Sequence, residues 1–297
     1  MAAVVLVVGA SGLVGRALLR EFSHHCRVVG TFCRNAEPNL THLDLRDKDE
    51  VRSVMRSVRP EVVLCPAAEP NVELCEIEPQ ATRRVNVEGL LNLITATAEL
   101  GAVLVYFSTD YVFDGTQGPY SEEDACNPLN EYGRQKLECE HMIAAQLDRH
   151  IIGRIAGVYD SEKQKKNFVV RLIDCLSSGR SFRVPSDQVI TPTYAPNLAR
   201  VVFRLVKKGQ WGLFHVAGSQ PMLRTEFARL IAEVFALEAS LILPVPTSEL
   251  GLRAARPRSA GLRIDKAQAL LEFPVAGPRE GLEQMKQERE SCLARRA

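Results

Sequence analysis

The chain lacks an excess of either charge. Its 297 residues include 37 Lys and Arg against 36 Asp and Glu, a net charge of +1. A dedicated nucleic-acid binder carries a basic excess, so no nucleic-acid partner is expected. No apolar run approaches the length of a membrane span, and no membrane partner is expected either. The apolar start, Met1 to Val8, has no basic leader and no cleavage site, and reads as a buried strand instead of a signal peptide. The 8 cysteines include no C-x-x-C pair, and no His stands at metal spacing from a Cys. They are expected to be reduced thiols of a cytoplasmic protein, with no metal site. Internal repeats and low-complexity segments are absent. Aromatic residues are only 6%, but the apolar fraction of 46% is that of an ordinary globular protein.

Short continuous apolar runs alternate with helical patterns. Val4–Val8, Arg27–Thr31, Leu40–Leu43, Val62–Leu64, Val103–Ser108 and Ile151–Ile155 predict six strands. Helices are predicted over 12–22, from the charged stretch 44–50 that opens the second, over 82–100 with Gly101 as its C-terminal cap, and over 132–147. The alternation predicts an α/β fold, a Rossmann-type doubly wound parallel sheet. Beyond Tyr159 the regularity falters and prolines punctuate shorter elements. We therefore expect a dinucleotide-binding domain over 1–159 and a smaller mixed substrate-binding region over 160–297. Some segments of that region are expected to return to the sheet, and the charged tail 280–297 is expected to be a terminal helix with a frayed end.

Three clusters carry chemistry. Gly9-Ala10-Ser11-Gly12-Leu13-Val14-Gly15 is a G-x-x-G-x-x-G loop between a predicted strand and a predicted helix. Glycines there let the backbone turn tightly beside a pyrophosphate, and the helix N-terminus offers free N–H groups to an anion. The competing reading is a glycine turn with no ligand. An acid at the end of the second strand selects NAD by binding the ribose 2′-hydroxyl. Here Thr31-Phe32-Cys33-Arg34 has none, and Arg34 can hold a phosphate, so NADP(H) is expected, with NAD(H) as the alternative. The competing reading makes Arg34 a solvated loop cation. Asp44, followed by Leu45, ends the third strand and can accept from an adenine amino group; otherwise it caps the next helix.

The second cluster is Tyr132-Gly133-Arg134-Gln135-Lys136. On a helix, Tyr132 and Lys136 share one face. A nearby ammonium lowers the phenol pKa, and such a Tyr can protonate a carbonyl oxygen as hydride reaches its carbon. By itself Tyr-x-x-x-Lys is a weak motif. Its place after a glycine loop and after the strand-end run Ser108-Thr109-Asp110-Tyr111-Val112-Phe113-Asp114-Gly115 strengthens it greatly. In that third cluster Thr109 can orient a carbonyl, whereas Val112 and Phe113 read as core.

Together these residues resemble the extended short-chain dehydrogenase/reductases, and within them the dTDP-4-dehydrorhamnose reductase family. The most specific stretch is 108–115, followed by Pro119-Tyr120 and Pro128-Leu129-Asn130-x-Tyr-Gly-x-x-Lys; Asp187-Gln188, Thr191-Pro192-Thr193 and Ala255-Arg256-Pro257 extend the likeness. The resemblance implies an NADP(H)-dependent oxidoreductase acting on a nucleotide-sugar substrate, with Thr109, Tyr132 and Lys136 as catalytic triad and Asn86 supporting the Lys through water. It places Gly9, Ser11, Gly12, Leu13, Gly15, Arg34, Asp44, Leu45, Ala67, Ala68, Tyr132 and Lys136 at the cofactor. Asp110, Tyr111, Asn167, Gln188 and Arg256 fall at the substrate, and a homodimer is compatible with the family. Two departures stand out. Cys65-Pro66-Ala67-Ala68 replaces the usual Asn-Ala-Ala, and Gly157 stands where these reductases carry Trp before Val-Tyr-Gly. The regulatory beta subunits of methionine adenosyltransferase are also similar: they share the fold, the Asp-Tyr-Val-Phe-Asp-Gly run and an Arg after strand two, and also lack the Trp. That likeness implies an NADP-binding partner of a synthetase. A sugar-nucleotide epimerase or dehydratase is the remaining alternative.

Overall fold

In a computed structural model, residues 3–162 and 164–294 are described; the ends of the predicted first strand and of the terminal helix, 1–2 and 295–297, lie outside them. In chain order the elements are β1 (Val4–Val7), α1 (Leu13–Ser23), β2 (Arg27–Phe32), β3 (Leu40–His42), α2 (Lys48–Val58), β4 (Val62–Cys65), α3 (Val72–Ile77), α4 (Pro79–Arg83), a π turn (Arg84–Glu88), α5 (Gly89–Leu100), β5 (Val103–Thr109), α6 (Glu131–Gln146), β6 (His150–Ile155) and β7 (Val158–Tyr159). There follow α7 (Phe168–Ser177), β8 (Phe182–Pro185), β9 (Val189–Ile190), β10 (Thr193–Tyr194), α8 (Ala195–Lys207), β11 (Gly212–His215), β12 (Met222–Leu223), α9 (Arg224–Val234), β13 (Ile242–Val245), α10 (Asp265–Gln268) and α11 (Pro278–Ala294).

Seven strands form one sheet in the order β11-β6-β5-β4-β1-β2-β3, and every pairing is parallel. The direction of winding reverses at β1, whose neighbours are β2 and β4, and a crevice opens there at the carboxyl ends of the strands. The apolar runs explain the sheet. Every residue of β4 and β5 is buried, as befits strands covered on both faces. One face packs on α1 and α8 through Ala17, Leu18, Phe22, Leu198, Val202 and Leu205. The other packs on α2, α5 and α6 through Val51, Met55, Leu90, Leu93, Cys139 and Ile143. A third cluster, with Tyr159, Leu172, Phe227, Ile231 and Leu282, forms the core of the C-terminal region. There β8 pairs with β13, β9 with β12 and β7 with β10, while β11 joins the main sheet beside β6.

Caps set the helix starts. Asp47, not Asp44, caps α2, accepting from the Asp49 and Glu50 backbone N–H groups. Asn130 caps α6 by accepting from the Gly133 N–H, and its amide donates to the Ala255 carbonyl, which ties the Tyr132 helix to the 254–258 segment. The single helix predicted over 82–100 is corrected: helix begins at Val72, is interrupted before Pro79, and passes through a π turn at 84–88. Proline at the first turn starts α4, because its missing N–H would have no partner there anyway. The eight cysteines are free thiols. No helix among the described residues is long and apolar enough to cross a membrane.

Candidate active site

The glycine loop lies at the carboxyl end of β1. Gly12 is exposed and caps α1 without a side-chain hydrogen bond, and no acid occupies the first turn, so the opening N–H groups remain available to an anion. A Cβ on Gly15 would lie 2.8 Å from the Ala10 Cα and against the Gly9 carbonyl, so only glycine lets α1 start so close under the loop. Ser11 is buried, Leu13 half-buried. Ala67 and Ala68 follow β4, the next strand across the crevice, and Ala67 packs on Gly9. This small-residue cradle fits a dinucleotide.

The adenine side is less open than the sequence suggests. Arg34 is exposed after β2, and its guanidinium meets the Glu69 carboxylate at 3.0 Å. Asp44 is chelated by Arg46, which holds its carboxyl below the usual range, first through that hydrogen bond. Leu45 is buried and its carbonyl accepts from Asn92.

Thr109 ends β5, and Tyr132 and Lys136 lie one turn apart on α6. Gly133 lets α6 approach the 110–112 turn: a Cβ there would meet Pro128 at 2.9 Å and press on the Tyr111 carbonyl. Thr109 Oγ1 donates to Asp110 Oδ1 (3.1 Å) and accepts from the Tyr111 N–H (3.2 Å). Lys136 is buried. Its Nζ donates to the Phe107 carbonyl at 2.8 Å and lies 5.9 Å from the centre of the Tyr132 ring. The expected lowering of the phenol pKa is not what this site gives. Burial, followed by Asp110, Cys75 and Tyr111, pushes Tyr132 up, and burial lowers Lys136. Asn86 is equally committed, accepting from the Glu69 N–H at 2.7 Å and donating to Gln135 Oε1 at 2.9 Å.

On the other side of Tyr111 lies a group of cations. Arg256 sits 5.8 Å from the Tyr111 ring centre and pairs with Glu73 at 2.7 Å. Arg224, at the start of α9, had no motif to reveal it. It lies over the Phe168 ring and feels the charges of Tyr111, Asp110, Arg256 and Arg171. Its Nε is buried without a hydrogen-bond partner. Gln188 is buried, accepts from Arg224 and donates to Thr247. Asn167 instead caps α7 through the Val170 N–H and donates to the Asp160 carbonyl at 2.8 Å. The structure therefore brings Thr109, Asp110, Tyr111, Tyr132 and Lys136 together at one strand end, with Arg224, Gln188 and Arg256 beside them. Val112 and Phe113 are core, as read from the sequence.

The family model for the RmlD substrate binding domain matches residues 3–291. Methionine adenosyltransferase 2 subunit beta of Bos taurus is 35% identical over 274 residues, which is 90% of this chain and 82% of that one. The probable low-salt glycan biosynthesis reductase Agl14 of Haloferax volcanii is 32% identical over 276 residues, 89% of this chain and 91% of that one. Among solved structures, a dTDP-4-dehydrorhamnose reductase from Bacillus anthracis, in complex with NADP, superposes with a TM-score of 0.89 at 28% identity, covering 97% of this chain and 100% of that one.

Proposed function

Since the chain belongs to the RmlD substrate binding domain family, we propose that it is an NADPH-dependent reductase of a nucleotide-linked 4-keto-6-deoxy sugar, of the dTDP-4-dehydrorhamnose type. The observation that carries this reading is the junction at the end of β5. A hydroxyl, a phenol and an ammonium from Thr109, Tyr132 and Lys136 stand beside Tyr111, and Tyr111 in turn feels a buried guanidinium, Arg224, whose Nε has no hydrogen-bond partner. Bound NADPH supplies the hydride. The pyrophosphate would rest at Gly12-Leu13, on the N–H groups that open α1 after Gly12, whose own N–H donates to the Gly9 carbonyl at 3.1 Å, and Arg34 would exchange Glu69 for the 2′-phosphate. The sugar's diphosphate is a charge-matched occupant for Arg224 and Arg256. Thr109 orients the keto oxygen, and Tyr132 gives it a proton. Lys136 and the bound ligands must together lower the phenol from its high resting value.

The test is a spectrophotometric NADPH oxidation assay with dTDP-6-deoxy-L-lyxo-4-hexulose, run beside an NADPH binding titration. Oxidation that disappears in Tyr132→Phe while NADPH binding stays nearly intact is the expected result. Oxidation that survives in Tyr132→Phe sinks the acid–base assignment. Tight NADPH binding with no oxidation sinks the proposed substrate. It would favour the second reading, a regulatory subunit, which rests on the 35% identity to the beta subunit, and a pull-down for a synthetase partner would follow.

A further inference from the structure

Lys136 carries its ammonium into a dry pocket: the residue is 3% exposed, and the Phe107 carbonyl accepts from Nζ at 2.8 Å. Burial favours the neutral amine unless something compensates. The acidic groups that face Lys136 supply little. Cys139 on α6, Cys65 at the end of β4 and Cys75 on α3 are thiols that burial pushes up, Cys65 to about 12, so near neutrality they are uncharged. Glu140, one turn along α6, has both carboxylate oxygens taken by the Arg154 guanidinium, at 3.0 and 2.7 Å.

An aromatic ring faces the ammonium instead. Nζ lies 4.5 Å from the centre of the Tyr106 ring, nearer than the 5.9 Å to that of Tyr132. The negative face of such a ring attracts a cation, most strongly where water is excluded. Tyr106 and Phe107 are consecutive in β5, so one strand offers ring and carbonyl to the same ammonium. Tyr106 is 1% exposed, and its backbone stands in register with Cys65 of β4 and Ile152 of β6, which fixes the ring. We propose that Tyr106 is a positioning residue: its ring face keeps the Lys136 ammonium charged and holds it beside Tyr132, a role whose catalytic consequence rests on the reductase reading. The ring acts here, and the hydroxyl does not. Tyr106 Oη has no hydrogen-bond partner among the described residues, and burial pushes the phenol up, so it stays neutral. The ring attracts the ammonium without consuming an N–H, so donors remain for bound ligands.

The test replaces Tyr106 by phenylalanine, then by phenylalanines carrying one, two and three ring fluorines, which keep the shape and weaken the negative face. In each cofactor-free protein labelled with ε-¹³C lysine, the Lys136 resonance is the one absent from Lys136→Arg. Tyr106→Phe should titrate as the wild type does, because the oxygen it loses has no partner. The fluorinated series should titrate progressively lower, by about one pH unit at three fluorines, because the ammonium loses support. A titration that does not move along the series overturns the proposal, whatever the enzyme turns over. In steady state, the limb along which kcat falls with rising pH should shift toward acid in step with that titration, and KM for the sugar should stay within about twofold. A limb that stays in place while the titration moves overturns the positioning role. No turnover by the wild type overturns the reductase reading alone, and the titration still decides how the ammonium is held. Should the most fluorinated protein not fold, the one- and two-fluorine proteins must still rank in order; equal titration of both with Tyr106→Phe overturns the proposal.

Discussion

Arg224 and Gln188 are joined twice: the Arg224 backbone N–H donates to the Gln188 carbonyl, and the guanidinium donates to Gln188 Oε1, each at 2.8 Å. The double tie fixes the start of α9 against the segment before β9. It holds a cation beside Tyr111 even though Arg171 and Arg256 oppose a further positive charge there. An anion is the occupant that relieves that opposition.

Arg224→Met should therefore weaken binding of a nucleoside diphosphate sugar at least tenfold, the scale of one charge-assisted hydrogen bond. NADPH affinity should be unchanged. Calorimetric titration with each ligand separates the two, and equal weakening of both would show that Arg224 acts only by holding the fold.

Arg34 reads the cofactor differently. Arg34→Ala should weaken NADPH about tenfold or more while leaving NADH within about twofold, because only the former carries the 2′-phosphate. Glu69→Gln removes the carboxylate that competes for Arg34 and should tighten NADPH. Fluorescence titrations check both changes, and an Arg34→Ala protein that loses NADH equally would remove Arg34 from phosphate recognition.

Below the substrate side, Arg154 and Glu140 form a buried pair, bonded through Nε at 3.0 Å and through the terminal nitrogen at 2.7 Å, with the guanidinium 5.0 Å from the Phe113 ring centre. Glu140→Ala leaves the buried guanidinium without its counter-charge and should cost about 3–5 kcal/mol. Replacing both partners by apolar residues of similar volume should recover much of the loss. Urea denaturation measures each, and a single-variant loss below about 1 kcal/mol would mean that solvent reaches the pair.

Asp114 accepts from the Tyr120 hydroxyl (2.7 Å), from the Thr116 N–H (2.9 Å) and hydroxyl (2.8 Å), and from the Asn127 amide (3.1 Å). These bonds, Tyr120 first, hold its carboxyl well below the usual carboxylate range. The folded state therefore binds this proton less readily than the unfolded chain. The resulting stability is fully present above the ordinary carboxylate range and is lost as the pH falls from that range down through the depressed folded-state value. Asp114→Asn should destabilise the protein near neutrality, and the gap from the wild type should shrink toward acid. A gap that is constant with pH, in melting curves at a series of pH values, would contradict the linkage.

The sheet was legible because its strands are buried on both faces, so 62–64 and 103–108 stand out as largely apolar runs without any partner being known. The glycine loop and the Tyr132–Lys136 pair were legible because backbone approach and helical spacing constrain residue type locally. Arg224 was not. It lies in no motif, and its burial depends on Phe168, Gln188 and Tyr111, which no local pattern connects to it. The direction of the Tyr132 shift was misread for a related reason. Spacing shows that Lys136 is near, but not that burial of the phenol outweighs it. Asp47 was passed over as a cap because Asp44, three residues earlier, offers the same chemistry.

The π turn at Arg84–Glu88, where the Gly89 N–H reaches back to the Arg84 carbonyl, works as a phase shifter. One surplus residue in a helical turn rotates the downstream helix by about 100°. The rod that carries Thr82 and Asn86 to Gln135 can in this way also lay Leu90, Leu93 and Ile94 on the sheet, two faces that a uniform helix would not align. Removing a single residue there would bring the two halves back into step. The hydrophobic half, with the larger area to lose, would keep its seat, and the polar half would turn away from α6.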